Sequence, residues 1–400
     1  ATLEEWKSIG TQIATIREKN PLALEPAVLS ADWLAAQGKF EEATKLLREE
    51  ATKRPGDARL WSALSSMLLR SHGTLAAAEA ISEGQLAAGE MFELKLARAR
   101  VWAEDFQNGR DERLTRLEAL SLTFGEADQS RLVNALNEFY ETSRDKNGQV
   151  RMQSLLAARN SQDRESRRNL YRLALEMTDT QKQSHWRTEL ARLEGAAGRS
   201  STLLDALNAI GTTKAAKRLG EFKDLARSIL SSTPDDADAH VLLALASEQL
   251  GDLPSAAKHL EVAVGLEPHV IRIQQARLGH YLRSGNDEAG KRIVLTLDAD
   301  PRISASKFRA ILKTSIEQGG TEAFSKCLAW AQPHLKREPR SAMWAGKLLE
   351  ARGKVIDAIA LYSLANQTVP SFADGWSARL LASSRLDEAE VKETMALCEK

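Results

Sequence analysis

Serine and lysine in one short segment give this sequence its nearest approach to a catalytic motif. Ser304 and Lys307 fit the Ser-x-x-Lys pattern, in which a lysine activates a serine nucleophile for acyl transfer. The further motifs that accompany this pattern in such enzymes are absent. The segment also lies where one repeating unit of the sequence meets the next. We therefore interpret it as a chance match and predict no catalytic residues.

Histidine and cysteine offer no metal-binding pattern. Two histidines at i,i+4, or a histidine beside a cysteine, would suit zinc, and neither arrangement occurs. The only cysteines, Cys327 and Cys398, stand too far apart for a metal spacing and cannot build a disulfide framework. Glycine-rich phosphate loops are also absent. We predict no metal, no cofactor and no enzyme activity.

Charge disfavours nucleic-acid and membrane-surface binding, and hydropathy indicates no membrane-spanning segment. The chain has 55 basic and 55 acidic residues, so it carries no net field to attract nucleic acid or an anionic membrane. No apolar run approaches the ~18 residues that would cross a bilayer. The sequence opens with Ala-Thr-Leu and no methionine, from which we expect a domain excised from a longer product. The compartment stays open between cytoplasm and periplasm.

Four glycines at a fixed period of 34 residues are the most informative feature of the chain. They are Gly251, Gly285, Gly319 and Gly353. A fixed period of this size indicates a repeat architecture, in which each unit is one helical hairpin. Such a unit cannot bury its apolar face alone and must stack on its neighbours. Each glycine is predicted to end the first helix of its hairpin.

The unit at 237–270 shows the pattern most clearly. Small or apolar residues stand where the two helices cross, glycine makes the turn, and proline closes the unit. These positions are Leu243, Ala244, Gly251, Ala256, Leu260, Ala263 and Pro268. The unit resembles the tetratricopeptide repeat, as do the units at 24–57 and 339–372. The resemblance implies an all-α, right-handed superhelical α-solenoid.

The regularity of the repeats divides the chain into three predicted parts. Residues 1–91 hold N-terminal repeats with a leading helix, and residues 237–400 hold regular repeats with C-terminal capping helices. Residues 92–236 lack the closing prolines but keep helical periodicity, for example over 92–104, 112–124 and 129–142. We read this middle part as about four degenerate hairpins, which gives about eleven in all. The alternative is a separate helical bundle inserted between two arrays.

The resemblance also implies where a partner would bind. In tetratricopeptide proteins the first helix of each hairpin lines the groove, through its second, fifth, ninth, twelfth and thirteenth positions. Carried over from residue 271 onward, these offsets select mainly cationic side chains. The predicted groove residues are Arg272, Gln275, Arg283, Arg309, Lys313, Arg340 and Lys347. An acidic or carboxylate-ended segment would pair with them. Lys313 and Lys347 stand where the chaperone-binding clamp needs asparagine, so chaperone-tail binding is not predicted.

These features favour a protein–protein interaction scaffold that binds partner segments in a concave superhelical groove. It could serve as the assembly or regulatory arm of a larger complex. Two alternatives stay open. One is a helical-repeat nucleic-acid-binding protein, which zero net charge disfavours. The other is a regulatory domain excised from a larger enzyme or envelope protein. Partner identity and oligomeric state are not encoded in any pattern of the sequence.

Overall fold

The computed structural model describes residues 3–20, 23–104, 114–115, 118–119, 125–195, 198–300, 302–386 and 388–398. In these ranges the chain is helical and contains no β-strand. The first eleven helices are α1 Leu3–Lys19, α2 Leu24–Ala36, α3 Phe40–Lys53, α4 Ala58–Ser71, α5 Thr74–Ala88, α6 Phe92–Glu104, α7 Glu126–Ser143, α8 Lys146–Arg159, α9 Arg164–Glu176, α10 Thr180–Glu194 and α11 Ser200–Ile210. The others are α12 Ala216–Ser232, α13 Ala237–Gln249, α14 Leu253–Leu266, α15 Ile271–Arg283, α16 Asp287–Ala299, α17 Ala305–Trp330, α18 Gln332–Leu335, α19 Pro339–Glu350, α20 Val355–Thr368, α21 Ala373–Ser383 and α22 Glu388–Cys398.

Consecutive helices pair as antiparallel hairpins, and the all-α repeat fold predicted from the sequence is confirmed. In α13 and α14 the residues Ala244, Ala256 and Leu260 are fully buried in one cluster. Small side chains at this crossing let the two backbones approach closely. In the middle part, α7 and α8 form a hairpin in which the amide of Gln153 donates to Asn137, 3.1 Å away. The helix predicted over 112–124 lies largely outside the described residues.

Glycines at the turns adopt the left-handed conformation that ends a helix. Gly251, Gly285 and Gly353 have φ values of 84°, 70° and 75°. A side chain is strained at such φ angles, so glycine is the residue that allows the sharp reversal. Three of the four glycines in the 34-residue series therefore make the turn that the period predicts.

A recurring hydrogen bond fastens one hairpin to the next. The fourth residue of a unit lies beside the carbonyl of the proline that closes the unit before it. Trp61 donates to Pro55 at 2.9 Å, and Trp376 donates to Pro370 at 2.7 Å. The same contact joins Gln274 to Pro268 at 2.7 Å and His240 to Pro234 at 3.1 Å. Proline thus ends one hairpin and its carbonyl anchors the next, which gives the closing proline a second structural role.

Gly319 does not make a turn, and this prediction was wrong. The helix α17 runs from Ala305 to Trp330 without interruption and passes through position 319. The sequence lacks an Asp, Asn or Ser cap after this glycine; Gly320 and Thr321 follow it instead. The turns at Gly251 and Gly285 are followed by Asp252 and Asn286, which cap the next helix. A following cap is not required, since the turn at Gly353 precedes Lys354, which makes no side-chain cap. Glycine permits a turn without imposing one, and at position 319 the chain stays helical.

The two kinds of glycine should respond oppositely to alanine. Gly319→Ala is expected to raise the free energy of unfolding by about 0.5–1 kcal/mol, because alanine is the better residue inside a helix. Gly285→Ala is expected to lower it by about 1 kcal/mol, because alanine is strained at a positive φ. Urea denaturation followed by circular dichroism measures both. Destabilisation by Gly319→Ala would contradict the continuous helix.

The helices group into two compact units. Unit 1 comprises residues 1–128 and 332–400, and unit 2 comprises residues 129–331. In unit 1 the N-terminal and C-terminal hairpins pack together, and the guanidinium of Arg70 lies 2.6 Å from the carboxylate of Glu338. The predicted division at 91 and 236 follows repeat regularity rather than packing and stays a prediction. No described helix is long and apolar enough to span a membrane.

Candidate functional site

A cleft of about 740 Å³ opens within unit 2. Its walls come from the first helices of four successive hairpins, α9, α11, α13 and α15, and from the long helix α17. The residues that line it are Arg172, Leu175, Glu176, Leu204, Leu207, Asn208, Ile210, Gly211, Leu245, Glu248, Gln249, Arg272, Gln275, Ala276, Arg283 and Thr314. Because every hairpin contributes the same one of its two helices, the cleft is a product of the repeat itself. Clefts of this volume are within the range of ligand sites.

An apolar floor runs along the middle of the cleft. We define it as Leu175, Leu204, Leu207, Leu245 and Ala276. The first two are buried in the core, and the other three are half-buried and keep apolar surface accessible. Asn208 is exposed beside this floor and has no hydrogen-bond partner among the described residues. A partly accessible apolar surface in a cleft is a place where a partner's apolar side chain gains binding energy.

Guanidinium and carboxylate groups meet on α9, α13 and α15. The carboxylate of Asp238 lies 2.8 Å from Arg168 and 3.0 Å from Arg272. Asp238 is buried, which disfavours its charge, but Arg272 and Arg168 outweigh this effect and hold its pKa below the ordinary value. Asp236 also pairs with Arg168 at 3.2 Å. This network connects hairpins that are separated in sequence.

A second charged group lies at the other side of the floor. Glu248 accepts a contact of 3.0 Å from the ring of His280 and one of 2.7 Å from Arg283. Burial acts to raise the pKa of Glu248, but the hydrogen bonds from His280 and Arg283 lower it to about 2. The Glu248 side chain is therefore a carboxylate at neutral pH and ties α13 to α15.

The lowered pKa of Glu248 predicts a pH-dependent contribution to stability. The folded pKa of about 2 lies below the ordinary 4.5, so the contribution is present above pH 4.5 and lost as the pH falls toward 2. We expect Glu248→Gln to lower the free energy of unfolding by about 2–3 kcal/mol at pH 7. The difference between the two proteins should shrink at pH 2.5. Urea titrations at both pH values measure it, and a difference that does not change with pH would contradict this assignment.

The first and last helices of unit 2 also touch. Arg144, just after α7, lies 2.7 Å from Glu317 and 2.5 Å from Thr314, both on α17. Lys307 of α17 lies 3.1 Å from Glu138 of α7. Thr314 also accepts a hydrogen bond of 2.8 Å from Gln275 and lines the cleft. These contacts bound the cleft on the side of α17.

The predicted groove residues fall into two sets. Arg272, Gln275 and Arg283 line the cleft of unit 2, and Arg309 and Lys313 are half-buried on α17 of the same unit. Arg340 and Lys347 belong to unit 1. Their role in binding stays a prediction for both sets.

Several of the predicted groove cations form ion pairs with carboxylates of this chain. Arg340 is buried and pairs with Asp374 at 3.0 Å, while Arg283 pairs with Glu248. Lys347 lines a smaller cavity of about 390 Å³ in unit 1, and burial lowers its pKa. A purely cationic row is therefore not what the structure presents, because three of the six predicted cations, Arg272, Arg283 and Arg340, pair with carboxylates of other helices.

Sequence reasoning missed several residues of the cleft, although the signal existed for some. The groove offsets applied to the unit at 237–270 select Asp238, Val241, Leu245, Glu248 and Gln249, and all of these except Val241 belong to the cleft or its charge network. Arg172 and Leu207 lie in the part of the chain where the repeat pattern has lost its phase. No offset could be assigned to them from sequence.

The Ser-x-x-Lys segment has a structural role. Ser304 caps the N-terminus of α17 by accepting a hydrogen bond of 3.2 Å from the backbone of Lys307, and the Lys307 ammonium pairs with Glu138. The geometry of this segment is that of a helix start.

Among the described residues no group of three or more His, Cys, Asp or Glu side chains could hold a metal ion.

Stacked helical hairpins with a cleft along their first helices define a tandem helical-repeat protein. Residues 214–270 match the model of the tetratricopeptide repeat family, so the chain carries tetratricopeptide repeats and the resemblance drawn from its sequence is confirmed. The matched segment includes the unit whose glycine, alanines and proline carry the pattern. None of the curated proteins matches the chain.

Comparison with solved structures finds proteins similar to this chain at low sequence identity, of which three follow. The hetero-tetramer Cut9–Hcn1 of the APC/C is 11% identical over 99% of this chain and 84% of its own, with a TM-score of 0.34. A tetratricopeptide repeat protein from Parabacteroides merdae is 11% identical over 73% and 98%, with a TM-score of 0.32. The Naa15/Naa10 complex bound to HypK-THB is 14% identical over 98% and 65%, with a TM-score of 0.31.

Proposed function

We propose that this protein is a non-catalytic scaffold that holds an extended segment of a partner protein in the cleft of unit 2. The observation that supports this most is the lining of the cleft, in which the first helices of four successive hairpins present an apolar floor between two charged groups. An extended segment meets such a surface with side chains at regular spacing, and its apolar residues supply the binding energy.

The charges of the cleft favour a protein over a nucleic acid. A phosphate backbone is bound by many cations at once, whereas Arg272 and Arg283 already pair with Asp238 and Glu248. Glu176 adds a further carboxylate to the lining. A mixed, partly apolar surface suits a polypeptide that offers apolar and charged side chains together. Through such a segment the scaffold would act in assembling a larger complex.

Blocking the cleft tests the proposal. Asn208 is exposed and lines the cleft, so Asn208→Trp should fill the space above the floor without disturbing the core. The full chain and this variant are immobilised in parallel and exposed to an extract of the cells that make the protein. Proteins retained in stoichiometric amount by the natural chain are expected to be lost from Asn208→Trp.

Gln181→Trp is the matched control, because Gln181 is exposed on α10 and does not line the cleft. This variant should retain the same proteins as the natural chain. Equal retention by all three proteins would overturn the assignment of the cleft. Loss of a bound RNA or DNA from Asn208→Trp, instead of a protein, would favour the nucleic-acid alternative.

A further inference from the structure

The geometry points to the class of segment that the cleft selects, an inference that rests on the proposed function. We propose that Arg172 and Arg272 receive an Asp or Glu side chain of the partner, while a neighbouring Leu-sized residue lies on the apolar floor. The partner is then a polypeptide with an acidic residue next to an apolar anchor. Arg172 was not among the residues predicted from the sequence, and it gives this end of the cleft a positive charge.

The charges around Arg172 leave one guanidinium without a carboxylate. Three guanidiniums, those of Arg168, Arg172 and Arg272, lie around two aspartates. Arg168 forms ion pairs with Asp236 and Asp238, and Arg272 forms an ion pair with Asp238 as well. Among the described residues the one hydrogen-bond partner of Arg172 is the neutral amide oxygen of Asn169, 2.5 Å away. A positive charge therefore stands in the cleft without a counter-charge in contact.

The surroundings of Arg172 destabilise its positive charge when the cleft is empty. Arg172 is half-buried, and burial together with the neighbouring charge of Arg272 lowers its pKa. Glu141 also lies near Arg172, and burial raises the pKa of its carboxyl, but among the described residues Glu141 makes no ion pair with Arg172. Glu176 pairs with Lys146 at 3.2 Å. An incoming carboxylate would relieve the repulsion between the two guanidiniums.

Arg272 has capacity for a further acceptor. Its Nη2 group contacts Asp238, but its Nη1 group is buried and has no hydrogen-bond partner. Glu267 approaches Arg272 only at 3.7 Å. A guanidinium presents several donors in a fixed plane and binds carboxylates in two-point contacts. Arg172 and Arg272 both line the cleft, so a carboxylate that reaches this end can contact both.

The position of the apolar floor determines where the apolar residue of the partner must lie. Leu175 lies on the same helix as Arg172, and Ala276 lies one helical turn after Arg272. The apolar surface therefore begins directly beside the two guanidiniums. A segment with an acidic residue next to a leucine, isoleucine or phenylalanine can place its carboxylate against the two guanidiniums and its apolar side chain on the floor. A phosphate ion or an isolated acidic residue would satisfy only one of these two surfaces.

Peptide selection on the intact protein tests this inference. A display library of random twelve-residue peptides is selected on the full chain, and enriched peptides are measured individually by fluorescence anisotropy. We expect enrichment of Asp or Glu beside Leu, Ile or Phe. Arg172→Gln should weaken such peptides by about ten- to a hundredfold, the range for a hydrogen bond to a charged group. Arg227→Gln, an exposed arginine on α12 outside the cleft, should leave their affinity unchanged.

The outcomes separate this inference from the proposed function. Peptides that Asn208→Trp excludes but that show no acidic preference would overturn the role of Arg172 and Arg272 and leave the scaffold function standing. Peptides that bind Asn208→Trp as well as the natural chain, or no enriched peptides, would contradict both. Inorganic phosphate that competes with the peptides at low millimolar concentration would show a simple anion site and also overturn the inference.

A stability measurement distinguishes Arg172 from an ordinary structural residue. Since its charge is uncompensated in the empty cleft, Arg172→Met is expected to raise the thermal unfolding temperature while it abolishes acidic selectivity. A structural arginine would lower the unfolding temperature on removal. A variant that loses both stability and binding would contradict the proposal.

Discussion

Asp238→Ala is expected to lower the free energy of unfolding by about 3–5 kcal/mol, the cost of leaving a buried charge without its partner. Asp238 is buried beside Arg168 and Arg272, at 2.8 and 3.0 Å. Removing its carboxylate leaves their guanidiniums facing each other, with Asp236 and the more distant Glu165 and Glu267 to neutralise them. Urea denaturation of the full chain, followed by circular dichroism, measures the change. Hydrogen exchange should locate the loss in α9, α13 and α15.

Asp235→Ala provides the matched control, because Asp235 is exposed three residues earlier in the chain and should change stability by less than about 0.5 kcal/mol. The double variant Asp238→Ala with Arg168→Met should recover part of the loss, because it also removes one of the buried cations. A loss below about 1 kcal/mol for Asp238→Ala would show that the three arginines do not depend on this carboxylate.

Gly346→Val is the second substitution expected to have a large effect, lowering the free energy of unfolding by about 3 kcal/mol through overpacking. A Cβ atom at position 346 would lie 2.4 Å from Cε1 of Tyr362, well inside van der Waals contact. The Tyr362 ring is fully buried, and its hydroxyl donates to Glu350 at 2.7 Å. The ring lines the cavity of about 390 Å³ beside Lys347, so it can make room for valine only by shifting into that space and giving up its hydrogen bond to Glu350.

Gly220→Val separates this effect from the general cost of replacing glycine. Gly220 lies inside α12, and nothing stands within 4 Å of a Cβ atom built there. Valine forms helices slightly better than glycine, so stability should rise or change by less than about 0.5 kcal/mol. Thermal and urea unfolding of both variants provide the comparison. Equal responses at positions 346 and 220 would contradict the close crossing of α19 and α20.

The repeat architecture could be predicted from sequence because its determinants are local. A glycine turn followed by a capping residue, as at Gly251 and Asp252, specifies a hairpin wherever it occurs. The error at Gly319 shows the limit of this reasoning, since glycine permits a turn but does not impose one, and a 34-residue period alone does not break a helix. The contact between Arg70 and Glu338 depends on packing between distant segments, which no local pattern records.

The candidate site could be predicted in part for the same reason. Arg272, Gln275 and Arg283 follow from the position of a residue within its repeat, and each lines the cleft. Asp238 and Glu248, on the neighbouring hairpin, pair with Arg272 and Arg283. The predicted row of cations is therefore partly neutralised within the chain. Arg172 lies where prolines are missing and the phase of the repeat is lost. Its proximity to Arg272 arises only from the folding of unit 2.

The cleft of unit 2, as the surface that holds a partner protein, is central to the proposed function. A photoreactive benzoylphenylalanine placed at position 208 of the full chain tests this directly in an extract of the cells that make the protein, with position 181 as the control. We predict a covalent adduct with a protein at position 208, absent at position 181 and suppressed by an acidic, apolar peptide from the selection. Adducts of equal yield at both positions, or none at position 208, would contradict it.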